Sequence, residues 1–380
     1  MVNNTQKMKK NKNTLLVFID GLNFDIGISK LKFLNSKNSS SITPGIGFSN
    51  NIYPENLCGK TPDEIGYFNE WSPLFTEQKP KSIFLRLLDI FRPSLYINAG
   101  IRKLILKNFF KIDYANIPFK YAHFFKPQGS HQFRDLPNDS LLNKFNFEIH
   151  DAVETGLKRR IRDFYILDNL KDNLKKNQNY FISLLDLDHT SHVFGTNSKE
   201  VEEHLKNIES KLSNIFDEFL ALNPDNEIYL FSDHGMVDVH TNQFFEIEEY
   251  FGEMNDQHYL YFVDSTYVRI WIFNNDIKDK MLKFLKARNY GSILDEKHRN
   301  EFGLSSKEFG DIIFRANEGV MFVPNFYGGR GNKAMHGYNS NLKSQQAIFS
   351  NITNSISSLK MPKRSKEVFT FLNNRLNDEV

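Results

Sequence analysis

The sequence contains a single cysteine, and this excludes several kinds of protein. With only Cys58 in 380 residues, no intramolecular disulfide can form, so a disulfide-stapled secreted fold is excluded. A structural zinc site of the Cys₂His₂ type is excluded for the same reason. Any metal that this chain binds must therefore be held by Asp and His side chains.

Long apolar runs and a strong net charge are also missing. No run of ~18 apolar residues occurs, so no transmembrane segment is predicted. The apolar run after the N-terminal lysines is too short for a signal peptide. The net charge is only +2, so nothing in the composition favours a nucleic-acid polymer or an anionic membrane as partner. Together these absences predict a soluble cytoplasmic protein.

Three short apolar runs each lead to an aspartate. Thr14–Ile19 is followed by Asp20, residues 180–187 by Asp188, and residues 228–232 by Asp233. Continuous apolar runs indicate strands that are buried on both faces of a parallel sheet. In open α/β sheets, ligands bind outside the carboxyl ends of the strands. The three carboxylates are therefore expected at one edge of one sheet.

The connection between the last two strands predicts a helix. Apolar residues recur at steps of three and four from Val201 to Phe219, and Asn197 or Ser198 is the expected N-cap. A strand, a helix and a strand at this spacing form a βαβ unit. We therefore predict an α/β fold with a mostly parallel central sheet and helices on both faces, within one catalytic domain over residues 1–380.

Two further segments are predicted as additions to this core. Residues 76–150, rich in Phe and basic residues, are interpreted as a helical insertion or cap; helices packed on the core are the alternative. Residues 258–330 predict a small α+β lobe with strands at 261–273, 311–315 and 320–323 and a helix at 276–287. A C-terminal helix is expected after about residue 355.

Histidines accompany the carboxylates at spacings that suit metal binding. In Asp188-x-x-x-His192 the i, i+4 spacing places both side chains on one face of a turn or helix. His234 follows Asp233 directly, with Gly235 after it to permit a turn, and His336 lies in a late Met-His-Gly-Tyr motif. Carboxylate and imidazole ligands suit zinc or manganese, and two such ions can catalyse phosphoryl transfer.

These motifs resemble the alkaline phosphatase superfamily, most closely its nucleotide pyrophosphatase/phosphodiesterase branch. Ser49, ten residues before Gly59, occupies the position of that branch's Thr or Ser nucleophile, which a metal ion activates. The resemblance implies two divalent cations, zinc or alternatively manganese. It implies one ion bound by Asp188, His192 and His336, and the other bound by Asp20, Ser49, Asp233 and His234.

The chain departs from the branch's pattern around the substrate site. Ile65 is found where the branch often has His, and Ile52 lies three residues after Ser49 in place of Asn. The branch's phosphate-binding Asn aligns with Glu70, and a one-residue shift assigns the role to Asn69. These departures concern the substrate class and leave the metal ligands in place.

The sequence therefore predicts a two-metal phosphoester hydrolase or phosphoryl transferase with a covalent intermediate on Ser49. A phosphodiesterase or nucleotide pyrophosphatase is favoured; the alternatives are a phosphomonoesterase, a phosphomutase or a sulfatase. An alternative of another class is a catalytically silent metal-binding sensor of a phosphorylated ligand. The expected substrate is a small-molecule or glycan- or lipid-linked phosphoester. The oligomeric state is left open.

Three polar residues are interpreted as having no direct catalytic part. Asp186 is placed within a strand, with a structural or supporting role. His204 is placed on the polar face of the predicted helix, and Arg162 is assigned to a solvated helix face, with an anionic substrate tail as its alternative partner.

Overall fold

Strands and helices alternate along much of the chain, as the predicted α/β class requires. The computed structural model describes residues 12–34, 38–47, 49–74, 117–128, 133–151, 161–327, 331–353 and 360–377. Its strands are β1 (Thr14–Ile19), β2 (Ser39–Ile42), β3 (Trp71–Pro73), β4 (Phe125–Pro127), β5 (Phe147–Asp151), β6 (Asn179–Leu184), β7 (Glu227–Phe231), β8 (Val237–Asp238), β9 (Thr241–Gln243), β10 (Tyr259–Val263), β11 (Tyr267–Ile272), β12 (Gly291–Ile293), β13 (Ile312–Ala316), β14 (Val320–Phe322), β15 (Ala334–Met335) and β16 (Ala347–Asn351). Its α-helices are α1 (Phe24–Lys30), α2 (Ser49–Cys58), α3 (Pro62–Ile65), α4 (Leu141–Lys144), α5 (Arg162–Asn173), α6 (Asp186–Phe194), α7 (Lys199–Leu222), α8 (Ile247–Phe251), α9 (Lys278–Lys286), α10 (Glu296–Glu301) and α11 (Ser365–Asn377).

Six strands form one sheet in the order β2-β16-β7-β1-β6-β5. Strand β1 lies parallel to both β6 and β7, with Leu16 opposite Phe181 and Tyr229, and β5 runs parallel to β6. Strand β16 runs antiparallel to β2 and β7. The predicted mostly parallel sheet is therefore confirmed. All six strands belong to a first compact unit, made of Met1–Thr61, His131–Asp238 and Ser340–Val380.

Both faces of this sheet are covered, which explains the continuously apolar strand sequences. Successive residues of β1 point to opposite faces. Leu15, Val17 and Ile19 join a cluster with α5 and α7, whereas Leu16 and Phe18 join a cluster with α2 and α11. All five side chains are fully buried. Because burying one such side chain contributes roughly 1.5–3 kcal/mol, the sheet is a rigid base for the residues that follow its strands.

The predicted helices of this unit are confirmed, and one predicted strand end is wrong. Helix α7 has Ser198 as its N-cap, whose side chain accepts from the Val201 N–H, and α11 is the expected C-terminal helix. The apolar run at residues 180–187 predicts a strand over its whole length. Strand β6 instead ends at Leu184, and Leu187 is buried as part of α6. Leu187 packs into the same apolar core as the residues of β6, although it lies in a helix.

A second compact unit contains Pro62–Ser130 and Val239–Asn339. Its main sheet is antiparallel, in the order β10-β11-β13-β12. The strands and helix predicted within 258–330 are found here, with one difference. The run at 261–273 is two strands, β10 and β11, because the chain reverses at residues 264–266.

More than half of the predicted insertion at 76–150, residues 76–116, lies outside the described residues. The end of that range belongs to strand β5 of the central sheet, Phe147–Asp151. No helix in the described ranges is long and apolar enough to cross a membrane.

Candidate active site

The predicted carboxylates of the first unit lie beyond the carboxyl ends of three parallel strands. Asp20 follows β1, Asp233 follows β7 after one serine, and Asp188 lies in the first turn of α6, after β6. The Asp20 N–H donates to the Leu184 carbonyl at 2.9 Å. Oδ1 of Asp233 accepts from the Gly21 N–H at 3.2 Å. These bonds connect the ends of the strands, and they bring the carboxylates together as the sequence predicts.

Ser49 is the first residue of α2, and its hydroxyl faces this group. Its Oγ lies 3.2 Å from Oδ1 of Asp20 and 3.1 Å from Nε2 of His234. A serine at the N-terminus of a helix is well placed for chemistry on an anion, because the first N–H groups and the helix dipole favour negative charge there. The structure therefore unites Ser49 with Asp20 and His234, as expected for a nucleophile.

The ring of His234 is oriented by its own backbone. Nδ1 lies 3.0 Å from the carbonyl oxygen of Gly235, and a carbonyl can only accept, so Nδ1 carries the proton in the neutral ring. Nε2 then presents a lone pair toward Ser49 and Asp20. A His ligand whose other nitrogen donates to a carbonyl is the usual arrangement in metal sites.

Gly235 permits a close approach between two loops. A Cβ at this position would lie 2.2 Å from the Ser344 carbonyl oxygen and 2.7 Å from Nδ2 of Asn23. The Gly235 N–H donates to the Gln345 carbonyl at 2.9 Å. The sequence predicts that Gly235 permits a turn, but Gly235 is not among the glycines with positive φ. The reason for a glycine at this position is instead the space between the two loops.

Asp188 and His192 lie on one face of α6, as their spacing predicts. Nε2 of His192 is 3.3 Å from Oδ2 of Asp188. The chain after β1 passes close to this helix, because a Cβ at Gly21 would lie 3.2 Å from both Cα and Cβ of Asp188. Gly21 has a φ of +72°, a conformation that glycine adopts without strain. It thereby allows the residue after Asp20 to contact Asp188.

Two carboxylates cap each other's helices at the start of α6. Asp163, in the first turn of α5, accepts from the N–H groups of Leu185 and Asp186 at 2.9 and 3.0 Å. Asp186 in turn accepts from the N–H groups of Arg162 and Asp163 at 2.9 and 3.3 Å. Both carboxylates are fully buried. The reciprocal caps satisfy helix N–H groups and fix α6, which carries Asp188.

The polar residues around these caps correct three predictions. Asp186 begins a helix and does not lie within a strand. Arg162 is bonded to Oδ1 of Asp186 through Nε and Nη2, at 2.9 and 2.7 Å, so it does not belong to a solvated face. His204 is buried, with Nε2 3.2 Å from Oδ2 of Asp163. The helical spacing of Val201, His204 and Leu205 already places 204 on the buried side of α7.

The first unit concentrates negative charge at the strand ends. Burial raises the pKa of Asp20 well above its usual range, and the charges of Asp233 and Asp188 raise it further. Hydrogen bonds from Tyr53 and Ser49 act in the opposite direction. Within the described residues, no lysine or arginine forms an ion pair with Asp20 or Asp233. A bound cation would compensate these charges and favour the ionised carboxylates.

The atoms that converge here suit such a cation. Nε2 of His234 lies 3.5 Å from Oδ1 of Asp20 and 3.2 Å from Oδ2 of Asp233. One ligand atom from each of the three residues lies within 4.8 Å of the others. In the described part of the chain, Oδ2 of Asp233 is buried and accepts no hydrogen bond. Two carboxylates and an imidazole form a donor set that fits a divalent metal such as zinc.

Two predicted site residues belong to the second unit. His336 is buried directly after β15, and its role as a metal ligand stays a prediction. Asn69 is buried and bonded within its own unit: Nδ2 donates to Asp264 at 2.8 Å, and Oδ1 accepts from the Tyr327 hydroxyl at 2.6 Å and the Trp71 N–H at 3.1 Å. These bonds give Asn69 a structural part, and its binding of substrate stays a prediction.

Sequence reasoning missed the residues that support the candidate ligands. The hydroxyl of Tyr53 donates to Oδ2 of Asp20 at 3.1 Å. Its spacing of four from Ser49 on one helix was the only available signal. Asp163 gave no signal, because its contacts with Asp186 join segments 23 residues apart.

Solved structures with the same fold are known. The murine ectonucleotide pyrophosphatase/phosphodiesterase 5 aligns over 96% of this chain and 95% of its own, with a TM-score of 0.62 and 14% identity. Phosphonoacetate hydrolase from Sinorhizobium meliloti 1021, in complex with phosphonoformate, aligns over 100% of this chain and 98% of its own, with a TM-score of 0.58 and 12% identity. At these identities the likeness establishes the fold. No curated protein sequence matches the chain.

The family assignment comes from the sequence itself. A family model described as type I phosphodiesterase/nucleotide pyrophosphatase matches residues 92–339, which is more than half of the chain. The match agrees with the resemblance seen in the motifs and with the fold of both solved structures. The chain therefore belongs to the type I phosphodiesterase/nucleotide pyrophosphatase family of the alkaline phosphatase superfamily, a family of phosphoester hydrolases.

Proposed function

We propose that this protein hydrolyses phosphodiester or pyrophosphate bonds through a covalent phosphoserine on Ser49. The observation that carries the proposal is the position of the Ser49 hydroxyl, 3.2 Å from Oδ1 of Asp20 and 3.1 Å from Nε2 of His234. A nucleophilic hydroxyl needs a group that stabilises its anion. In this chain that group would be a cation held by the same Asp and His.

The predicted ligands would hold two cations. Asp20, Asp233 and His234 would bind the ion that contacts Ser49, as their converging atoms favour. Asp188 and His192 would bind a second ion, with His336 as the further ligand that the motif match assigns. When bound, two divalent cations supply charge stabilisation for the phosphoryl oxygens and lower the pKa of a coordinated hydroxyl. Zinc is proposed for both positions, with manganese as the alternative.

The covalent reaction would take place in two displacement steps. In the first, the Ser49 oxygen attacks phosphorus, the bond to the leaving oxygen breaks, and the serine proton passes to solvent. In the second, a water molecule attacks, the bond to Ser49 breaks, and the hydroxyl is restored. The N-terminus of α2 would stabilise charge on the transferred group in both steps.

Trapping the intermediate tests this assignment. Wild-type protein, loaded with Zn²⁺ and quenched in acid during turnover of a labelled diester, is expected to carry label on the peptide that contains Ser49. Label on another peptide would refute Ser49 as the nucleophile. Turnover without any trapped label, at every quench time, would favour direct attack by water.

Metal content and a substrate panel test the rest of the proposal. Purified protein is expected to contain close to two divalent ions per chain, to lose activity with a chelator and to regain it with Zn²⁺ or Mn²⁺. Aryl diesters and nucleotide pyrophosphates are expected to be cleaved faster than aryl monoesters and sulfates. A preference for monoesters would contradict the proposed substrate class. Metal binding without turnover of any ester would favour a sensor of a phosphorylated ligand.

A further inference from the structure

A tyrosine lies one helical turn beyond the candidate nucleophile. Ser49 and Tyr53 are at i and i+4 of α2, so their side chains share one face of the helix. The Tyr53 hydroxyl donates to Oδ2 of Asp20 at 3.1 Å. The other oxygen of the same carboxylate, Oδ1, accepts from Ser49 at 3.2 Å and lies 3.5 Å from Nε2 of His234. The two oxygens of Asp20 thus have different surroundings.

The ring of Tyr53 is held by its own packing. It is 6% exposed and contacts Phe18 edge-on, with ring centroids 5.1 Å apart. It also contacts Phe133, with centroids 4.5 Å apart. Phe18 belongs to β1 and precedes Asp20 by two residues. A buried ring packed against this strand leaves its hydroxyl little freedom, and a buried phenol requires an acceptor.

We propose that Tyr53 is a positioning residue that holds Asp20 with Oδ2 bonded to the phenol and Oδ1 directed toward Ser49 and His234. Asp20 would then offer a single oxygen to the cation of the Asp20, Asp233 and His234 group. This inference rests on the proposed cation there. Residues that hydrogen-bond to metal ligands fix the orientation of those ligands, and their removal typically weakens metal binding about 10- to 100-fold.

The hydroxyl can be removed without the ring. In Tyr53→Phe the packing against Phe18 and Phe133 is retained, while the bond to Asp20 is lost. Tyr229→Phe is the matched control, because it removes a buried hydroxyl from the same apolar cluster. That hydroxyl donates to Glu227 at 2.7 Å, so it lies away from the candidate ligands.

The experiment measures Zn²⁺ affinity of metal-free protein by competition with a chromophoric chelator. Thermal unfolding and near-ultraviolet circular dichroism of each variant are measured in parallel. Tyr53→Phe is expected to bind one of its two ions about 10- to 100-fold more weakly. Tyr229→Phe is expected to keep the wild-type affinity and to lose only stability.

The outcomes separate this inference from the proposed function. Wild-type Zn²⁺ affinity in Tyr53→Phe would overturn the positioning role and leave the proposed metal site intact. An equal loss of affinity in both variants would also overturn it, since a general loss of order would then be the cause. If the wild-type protein binds neither Zn²⁺ nor Mn²⁺, the proposed metal site fails, and the role of Tyr53 fails with it.

Discussion

Asp20 in the first unit and Asp264 in the second are both buried carboxylates, and their neighbours are of opposite kinds. For each, burial is the main cause of a raised pKa. Asp264 has a resident cation, with Nε of Arg269 3.0 Å from Oδ2, and its pKa is raised only to about 6. Asp20 has Asp233 and Asp188 as charged neighbours, and they raise its pKa further.

The charged neighbours of the two carboxylates differ because Asp264 is part of a core. The Asp264 group is bonded within its own unit: Asn69 donates to its carboxylate at 2.8 Å, and Arg269 donates to the Trp71 carbonyl at 2.8 Å. The guanidinium also lies over the Phe262 ring, at 4.8 Å from its centroid. Such a pair belongs to a core. Within the described residues, Asp20 and Asp233 have no lysine or arginine as an ion-pair partner, and this favours compensation of their charge by a bound cation.

The largest expected effect is a loss of activity when the hydroxyl beside Asp20 is removed. Ser49→Ala removes the proposed attacking oxygen from beside Asp20, so turnover is expected to fall by about three or more powers of ten, with only positioning and charge stabilisation left. Ser49→Thr keeps the hydroxyl and is expected to keep measurable activity. Both variants are assayed for turnover after Zn²⁺ loading, with unfolding curves as the control for fold. Near wild-type turnover in Ser49→Ala would contradict the assignment.

The next largest effect is a loss of stability when Asp264 loses its basic partner. Arg269→Met leaves a buried carboxylate without its cation, and this typically costs about 3–5 kcal/mol of unfolding free energy. Urea unfolding measures the loss. The double variant Arg269→Met/Asp264→Leu removes both charges and is expected to recover much of it. If Arg269→Met were as stable as the wild type, Asp264 would need no cation, and the contrast drawn with Asp20 would be wrong.

A pH effect of similar origin follows from the raised pKa of Asp264. The ordinary pKa of 3.8 is raised to about 6 in the folded state. Between these values the folded protein holds a proton that the unfolded chain has lost, so unfolding free energy falls as pH rises through this range. The contribution of this residue is ~3 kcal/mol. Zn²⁺-loaded wild type and Asp264→Asn are compared by urea unfolding across the range, and equal slopes would refute the prediction.

The smallest effect concerns Asn69. Asn69→Ala removes the bonds to Asp264 and Tyr327 and is expected to cost about 1–3 kcal/mol of unfolding free energy, and its KM tests the predicted binding of substrate. Asn325→Ala is the control, since Asn325 is also a buried asparagine bonded within this unit. A raised KM in Asn69→Ala alone would confirm the substrate-binding role predicted from the motif and would weaken its structural interpretation.

The strand ends were predictable because two strong signals coincide there. An apolar run gives a buried strand, and the polar residue that ends the run must then lie at the sheet edge, as Asp20 and Asp233 do. The i, i+4 spacing of Asp188 and His192 is equally local. The end of β6 was not predictable, because Leu187 is apolar for the same core whether it lies in a strand or in a helix.

The contacts that support the candidate ligands depend on which residues the fold brings together, and no local sequence pattern shows this. Tyr53 meets Asp20 across 33 residues, and Asp163 meets Asp186 across 23 residues. The pair Asp264 and Arg269 is close in sequence, yet only the reversal between β10 and β11 brings the two side chains together. Composition and periodicity fix which residues are buried, and they leave open which buried polar groups meet.

The reciprocal caps of Asp163 and Asp186 have a consequence for how this part of the chain opens. The N–H groups of Arg162, Asp163, Leu185 and Asp186 are bonded to carboxylates of the opposite helix. Neither helix start can fray without releasing acceptors of the other. Their amide hydrogens are therefore expected to exchange with solvent in a single concerted event, so that α5 and the helix with Asp188 and His192 behave as one cooperative segment.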